Sequence, residues 1–487
     1  MVHCFKSHGY NFAIDIYSGS VHLLDRPAYE LVLFLSKTIE EGKKPTESDL
    51  KMALSQVAEN IKELKIRDLE ESLDEISDLI NQDLLFSRDT FADLSLDLSE
   101  KETFVKALCL NVAHTCNLDC DYCFASQGKY HGKRSLMSWE VAKQAIDFLI
   151  ENSGYHRNLD IDFFGGEPLL NFDIVKKTVA YADSIQDKYG KNFRYTFTTN
   201  GMALNDEIGN YLNEHMHNVV LSLDGRKEVN DRFRHTIGGK GSYDRIVPKF
   251  KSFVDKRGDL EYYIRGTYTG HNPDFYNDIV HMANLGFSRL SMEPVIGDPK
   301  EEYMLSEKDL KMLEKQYDLL TDEMIRRNRI YNKKLARGGT IEDLPCEDRP
   351  FVFYHFMMNL EGGPCIYKRI SGCGSGSEYM AVTPNGDLYP CHQFVGEGAY
   401  VIGNVFDGIK NNSIIDEFKH CNCYSRQECR SCWAKLYCSG GCAANAVHAV
   451  GNLQGTVPFS CELFRKRMEC ALTIKADQAM TEQMQED

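Results

Sequence analysis

Three cysteines in the stretch HTCNLDCDYCFAS, Cys116, Cys120 and Cys123, are spaced C-x3-C-x2-C. Iron–sulfur and zinc sites are usually completed by four ligands, so three thiolates leave one metal position open to a small molecule. A three-cysteine zinc site completed by His114 or His131 fits the same residues. Farther along, FFGGEP supplies Gly165 and Gly166, which let a ligand approach the backbone closely, and Glu167, which could meet an amino group. A second group comprises Cys373, Cys391, Cys429, Cys432, Cys438, Cys442 and Cys461, with Gly386 opening a G-x4-C step and C-x2-C-x5-C-x3-C following it. Seven thiolates do not divide into two closed four-ligand sites; one site is a donor short. The chain has 17 cysteines, an odd number at short spacings, and MVHCFKSHGYNF lacks an apolar signal core, so metal is favoured over disulfides. Cys4, Cys109, Cys346, Cys365, Cys421, Cys423 and Cys470 are left over and read as buried or surface thiols. Cys365, just upstream of Cys373, is the leftover cysteine that most invites a ligand role.

Elements that position these residues are legible around them. VKALCLNVA, LDIDFFGG, FRYTFTTNG, NVVLSLDG, EYYIRGTYT and SRLSMEPV read as strands, and amphipathic stretches such as SWEVAKQAIDFLIEN lie between most of them. Repeated strand–helix units imply an α/β fold with a parallel sheet covered by helices. Six units are too few for an eight-fold barrel, so a partial, open (β/α)6 barrel is expected over residues 106–300. Its ligands belong beyond the carboxyl ends of the strands, where both the cysteine loop and FFGG fall. Residues 1–98 read as a winged-helix-like unit: two strands joined at Ser18-Gly19, then helices, one opened by a Thr46–Asp49 capping box. An acidic linker is expected over Asp93–Glu102 and a charged helical bridge over 301–364. Residues 365–465, rich in Gly and Cys, need staples to hold together, and 466–487 read as a terminal helix. The net charge of −16 argues against a general nucleic-acid binder, and no apolar run approaches the ~20 residues needed to cross a bilayer. A soluble, cytoplasmic protein is expected.

HTCNLDCDYCFA, FFGGEPLL and TTNG together resemble the radical S-adenosylmethionine (SAM) superfamily over about residues 106–295. That resemblance implies that Cys116, Cys120 and Cys123 hold a [4Fe–4S] cluster whose open iron takes the amino and carboxylate groups of SAM. It places Tyr122 and Phe124 near the adenine, Gly165, Gly166 and Glu167 near the methionine amino group, and Asn200 and Ser222 along the rest of the cosubstrate. The seven later cysteines resemble a SPASM extension, implying two auxiliary [4Fe–4S] clusters and three in all. Cys429, Cys432, Cys438 and Cys461 would close one; Cys373, Cys391 and Cys442 would hold the other, left open or completed by Cys365.

The whole plan, with HGYNFAIDIYSGSVHLLD at its start, is similar to the thioether-forming maturases of six-cysteine peptides, though ranthipeptide and sactipeptide maturases share it. The implied partners are a cysteine-rich precursor whose leader docks on residues 1–98 and a reductant of flavodoxin or ferredoxin type. The implied activity is hydrogen abstraction by a 5′-deoxyadenosyl radical followed by sulfur–carbon bond formation. Asp224 and Glu293, at strand ends, are candidate proton handlers. Competing readings are formylglycine formation or carbon–carbon linkage, a zinc-stapled peptide-binding module without catalysis, and an electron-transfer iron–sulfur protein.

Overall fold

The computed structural model describes residues 1–94, 102, 104–358, 360 and 365–486. Most of the expected linker falls outside these residues.

The N-terminal unit has three strands rather than two. β1 (Val2–Ser7), β2 (Tyr10–Asp15) and β3 (Val21–Leu24) pair antiparallel in that order. The missed strand precedes a two-residue turn at His8-Gly9, where both residues have positive φ (49° and 87°), the backbone a tight hairpin requires. Three helices follow: α1 (Arg26–Thr38), α2 (Glu47–Asn60) and α3 (Ile66–Asn81). Asp25 caps α1, and the Thr46–Asp49 capping box opens α2. Leu31, Leu35, Val57, Leu69 and Ile76 fill the core between them.

The α/β domain is built on six parallel strands in sequential order: β4 (Ala107–His114), β6 (Asn158–Gly165), β7 (Asn192–Thr199), β8 (Asn218–Ser222), β9 (Glu261–Tyr268) and β10 (Arg289–Pro294). The short β5 (Ser135–Leu136) adds antiparallel to β4. Along each strand one face, including Leu108, Leu110, Ile161, Phe163, Phe197, Leu221, Ile264, Leu290 and Met292, packs in the main core. The alternate residues take the opposite face, the lumen. The sheet does not close on itself. Its outer edges are extended by β11 (Val352–Phe353), parallel to β10, and by β12 (Tyr379–Val382), parallel to β4.

Strand β12 belongs to the region that reads from sequence as nearly aperiodic. It continues into β13 (Asp387–Tyr389), β14 (Gly403–Asn404) and β15 (Gly408–Ile409), so the cysteine-rich region shares one sheet with the barrel. Strands of two to four residues carry too short an alternation to be recognised. The bridge contains a 26-residue helix, Leu310–Leu335. The terminal helix spans Pro458–Glu486, so it starts before residue 466 and carries Cys461 in its first turn. Pro at a first helical position costs no hydrogen bond. No helix among the described residues is long and apolar enough to cross a membrane.

Candidate active site

Strand β4 delivers the first cysteine group. A register shift between Asn111 and Ala113 lets its end follow β6, and pairing continues beyond the strands: Gly166 N–H donates to Ala113 O (2.8 Å) and Glu167 N–H to Thr115 O (2.9 Å). The cysteine loop and FFGGEP therefore lie side by side at the carboxyl end of the sheet. A Cβ on Gly166 would come within 2.3 Å of Thr115 O, and one on Gly128 within 2.7 Å of the Gly166 Cα. Both glycines are set by close backbone approach. Burial raises the thiols of Cys116 and Cys120 to about 12 each, with further upward push from neighbouring cysteines. Asn200 Nδ2 donates to Cys116 Sγ (3.5 Å) and Asn117 Oδ1 (2.8 Å). Leu118 N–H also donates to Cys116 Sγ (3.4 Å).

Two buried polar atoms beside these thiols, His114 Nε2 and the Tyr130 hydroxyl, have no protein partner. His114 stacks on Tyr130 at 4.6 Å, and His131 Nδ1 is within 2.9 Å of Ser126 Oγ. Among the described residues, no three His, Cys, Asp or Glu side chains gather tightly enough for a single metal ion. Tetrahedral zinc holds its sulfurs at about 2.3 Å from one centre; a bulkier four-iron cluster spreads its thiolates wider. Three half-buried thiols beside a glycine cradle fit an iron–sulfur cluster with a small-molecule ligand.

Glu167 is 1% exposed. Its carboxylate accepts from Thr199 Oγ1 (2.8 Å), Asn200 N–H (2.8 Å) and Leu169 N–H (3.0 Å). It ties the end of β6 to the end of β7 and so fixes Asn200 over the cysteine loop. Burial raises its pKa to about 7 despite those donors. A Cβ on Gly165 would come within 2.5 Å of Ala113 O, so this glycine too is set by close backbone approach. Ser222 ends β8, in register with Arg265 of β9.

Tyr122 and Phe124 diverge. The Tyr122 hydroxyl donates to Asp224 Oδ2 (2.5 Å), while Phe124 is exposed and lies 5.7 Å from the His392 ring. Asp224 is fully buried. It pairs with Arg234 Nε (3.0 Å) and accepts from Thr267 N–H (2.9 Å). The Arg234 guanidinium also stands 5.6 Å from the Tyr122 ring centroid. This arrangement makes Asp224 a structural anchor for the cysteine loop, since its oxygens are already committed. Only the fold pairs Arg234 with Asp224.

Glu293 lies on the lumen face of β10, opposite Leu290 and Met292. It is near His355 Nε2 (3.3 Å) and Arg467 Nη2 (3.5 Å), and its side chain is 30% exposed against 0% for Asp224. Burial opposes ionisation, but His355, Arg467 and Arg265 together hold its pKa below the ordinary value. Asp162, which the sequence reading passed over, takes the lumen face of β6 in register with Cys109 and Thr196. Burial, with Asp160 adding to it, raises Asp162 to about 7.

The second cysteine group forms two gatherings. Burial, then the thiolates of Cys461, Cys429 and Cys432, raises Cys438 to about 12. Burial likewise raises Cys391 to about 12, with Cys442 and Cys373 adding to it. Cys365 is exposed and immediately precedes the helix Ile366–Ser371. Between the first cysteine group and Cys391 lies His392, whose ring is 5.0 Å from that of Phe164. Burial lowers its pKa to about 4.

Residues 110–286 match the radical SAM superfamily, and residues 373–433 match an iron–sulfur cluster-binding domain, SPASM. The chain is 25% identical over 349 residues to a cysteine-type anaerobic sulfatase-maturating enzyme of Clostridium novyi, covering 68% of this chain and 85% of that one. It is 22% identical over 377 residues to the radical SAM cyclopropyl synthase TigE of Paramaledivibacter caminithermalis, covering 74% and 72%. The solved structure of anSMEcpe with bound AdoMet superposes with a TM-score of 0.59 at 20% identity, covering 77% of this chain and 99% of that one. Those two domains imply SAM and [4Fe–4S] clusters as cofactors. The open barrel with its three-cysteine loop, joined by one continuous sheet to the later cysteines, is a radical SAM domain followed by a SPASM domain.

Proposed function

We propose that this chain is a radical SAM peptide maturase that forms thioether cross-links from cysteines of a ribosomally made, cysteine-rich precursor. The observation that carries the reading is the N-terminal unit. Among the described residues its β3 has a strand neighbour on one side only, whereas β1 is covered by the terminal helix, to which it is tied by His3–Glu469 (3.1 Å) and Ser7–Thr473 (2.8 Å). An uncovered edge beside a helical layer suits an extended leader added as a further strand.

In this reading Cys116, Cys120 and Cys123 hold the first cluster, and the Gly165–Gly166 backbone receives the cosubstrate. Glu167 positions Asn200 over the loop. When bound, cluster and SAM supply a 5′-deoxyadenosyl radical that takes hydrogen from carbon. Cys373, Cys391 and Cys442 hold one auxiliary cluster; Cys429, Cys432, Cys438 and Cys461 hold the other. Glu293, ionised and open to the lumen, is the carboxylate placed to accept a substrate thiol proton. An external low-potential reductant would supply the electron for SAM cleavage, and the electron released when the sulfur–carbon bond forms would be taken up by the auxiliary clusters.

The test is mass spectrometry of a cysteine-rich precursor after anaerobic incubation with reconstituted enzyme, reductant and SAM. Loss of two hydrogens per event, with the same cysteines resisting alkylation after disulfide reduction, is expected. The likeness to sulfatase-maturating enzymes supports a second reading, oxidation of a cysteine or serine to formylglycine. That reading predicts an aldehyde on a leaderless peptide and no protected thiol.

A further inference from the structure

Cys373 and Cys421 line one cavity of about 40 Å³, together with Arg426, Gly441 and Ala443. Cys442 immediately precedes Ala443 in the chain. Arg426 is 3% exposed. Its Nη2 donates to Cys421 Sγ at 3.1 Å, while its Nε has no partner. The Cys421 thiol itself donates to Leu453 O (3.2 Å). An unpartnered donor in the wall points to a further acceptor, such as the sulfide or thiolate of a cluster. Cys365 is not in this wall; it is exposed at the start of the helix Ile366–Ser371.

We infer that Cys421 is the fourth protein ligand of the cluster held by Cys373, Cys391 and Cys442, closing the site that is one donor short. The inference rests on the reading of those three cysteines as cluster ligands. It changes the function's details: substrate sulfur then meets no vacant iron in the resting enzyme, and Arg426 steadies the closing ligand.

Two measurements test it. First, the full chain is alkylated with iodoacetamide before and after its clusters are stripped, and modified cysteines are quantified by mass spectrometry. Cys470, buried on the terminal helix away from the cavity, is the control for burial. Cys421 is expected to gain labelling at least tenfold on stripping, in step with Cys373, Cys391 and Cys442, and well beyond Cys470. If those three gain and Cys421 follows Cys470, or labels equally in both states, the inference falls while the cluster reading stands. If none of the four gains, both fall together. Second, in a chain with Cys116, Cys120 and Cys123 replaced by alanine, the reduced auxiliary clusters are examined by electron paramagnetic resonance with and without 2-mercaptoethanol. The spectrum is expected to ignore the thiol with Cys421 present and to shift in Cys421→Ala. A shift already present with Cys421 in place overturns the inference. Should Cys421→Ala not accumulate as folded protein, Cys421→Ser serves in its place, because serine is a poorer ligand of nearly equal size.

Discussion

At the scale of single residues, the site is held by groups that do no chemistry themselves. Asp224 shows this. A proton handler would need a free oxygen, yet its carboxylate is shared among Tyr122, Arg234 and Thr267. Removing one partner of a buried ion pair leaves a charge uncompensated, at a cost of about 3–5 kcal/mol. Asp224→Ala is therefore expected to lower stability by that amount in denaturant melts and to reduce iron content. A variant of unchanged stability with an altered pH–rate profile would instead make Asp224 catalytic. Asp162 gives a pH prediction. Its folded pKa of about 7 lies above the ordinary 3.8, so the folded state binds its proton more tightly than the unfolded state does. That contribution is complete below about pH 4 and is lost as pH rises through 7. Asp162→Asn keeps the hydrogen-bonding shape without the charge, so its melting temperature relative to the natural chain should climb from pH 4 to pH 8. A flat difference would show that Asp162 titrates normally.

At the scale of elements, the ends of β4, β6 and β7 form one device. Two glycines allow the loops to touch, and Glu167 clamps the third strand end. The N-terminal sheet is a separate device with its own core, and its β3 edge is the proposed leader dock. Leu23 on β3 is 40% exposed. An exposed substitution away from special contacts changes stability by about 0.5 kcal/mol or less. Leu23→Glu should leave melting and peptide-independent SAM cleavage unchanged while weakening leader binding at least tenfold, read by fluorescence anisotropy of a labelled leader. Unaltered affinity would move the dock elsewhere.

At the scale of the whole molecule, the N-terminal unit is fastened to the cysteine-rich region. Phe5, Phe12 and Ile14 share a core with Ile370, Cys423, Cys429 and Leu436. The His3 ring stacks on Trp433, next to Cys432, at 3.9 Å. Lys435 is 2% exposed, donates to Tyr17 Oη (3.1 Å) and stands 4.9 Å from the ring centroids of both Tyr17 and Tyr424, with Asp89 at 3.6 Å. A desolvated cation–π contact contributes about 2 kcal/mol. Lys435→Met keeps the bulk and loses the charge, so it is expected to increase protease cutting between residues 85 and 106 several-fold. Unchanged cutting would mean that apolar packing alone holds the junction.

The sequence by itself determined the elements and the chemical kind of the site. Strand alternation and helix periodicity are local, so all six barrel strands were legible to within one to three residues at each end. The cysteine spacings are local too, and they marked both cysteine groups. What the sequence left open depended on which distant side chains meet. Only the tertiary structure put Arg234 against Asp224, turned Glu167 into a clamp between strands and brought Cys421 into the wall beside Cys373. It also joined β12 to β4 across more than 250 residues. Such pairings follow from how a parallel sheet and its covering layers close around a shared core, and no spacing along the chain encodes them.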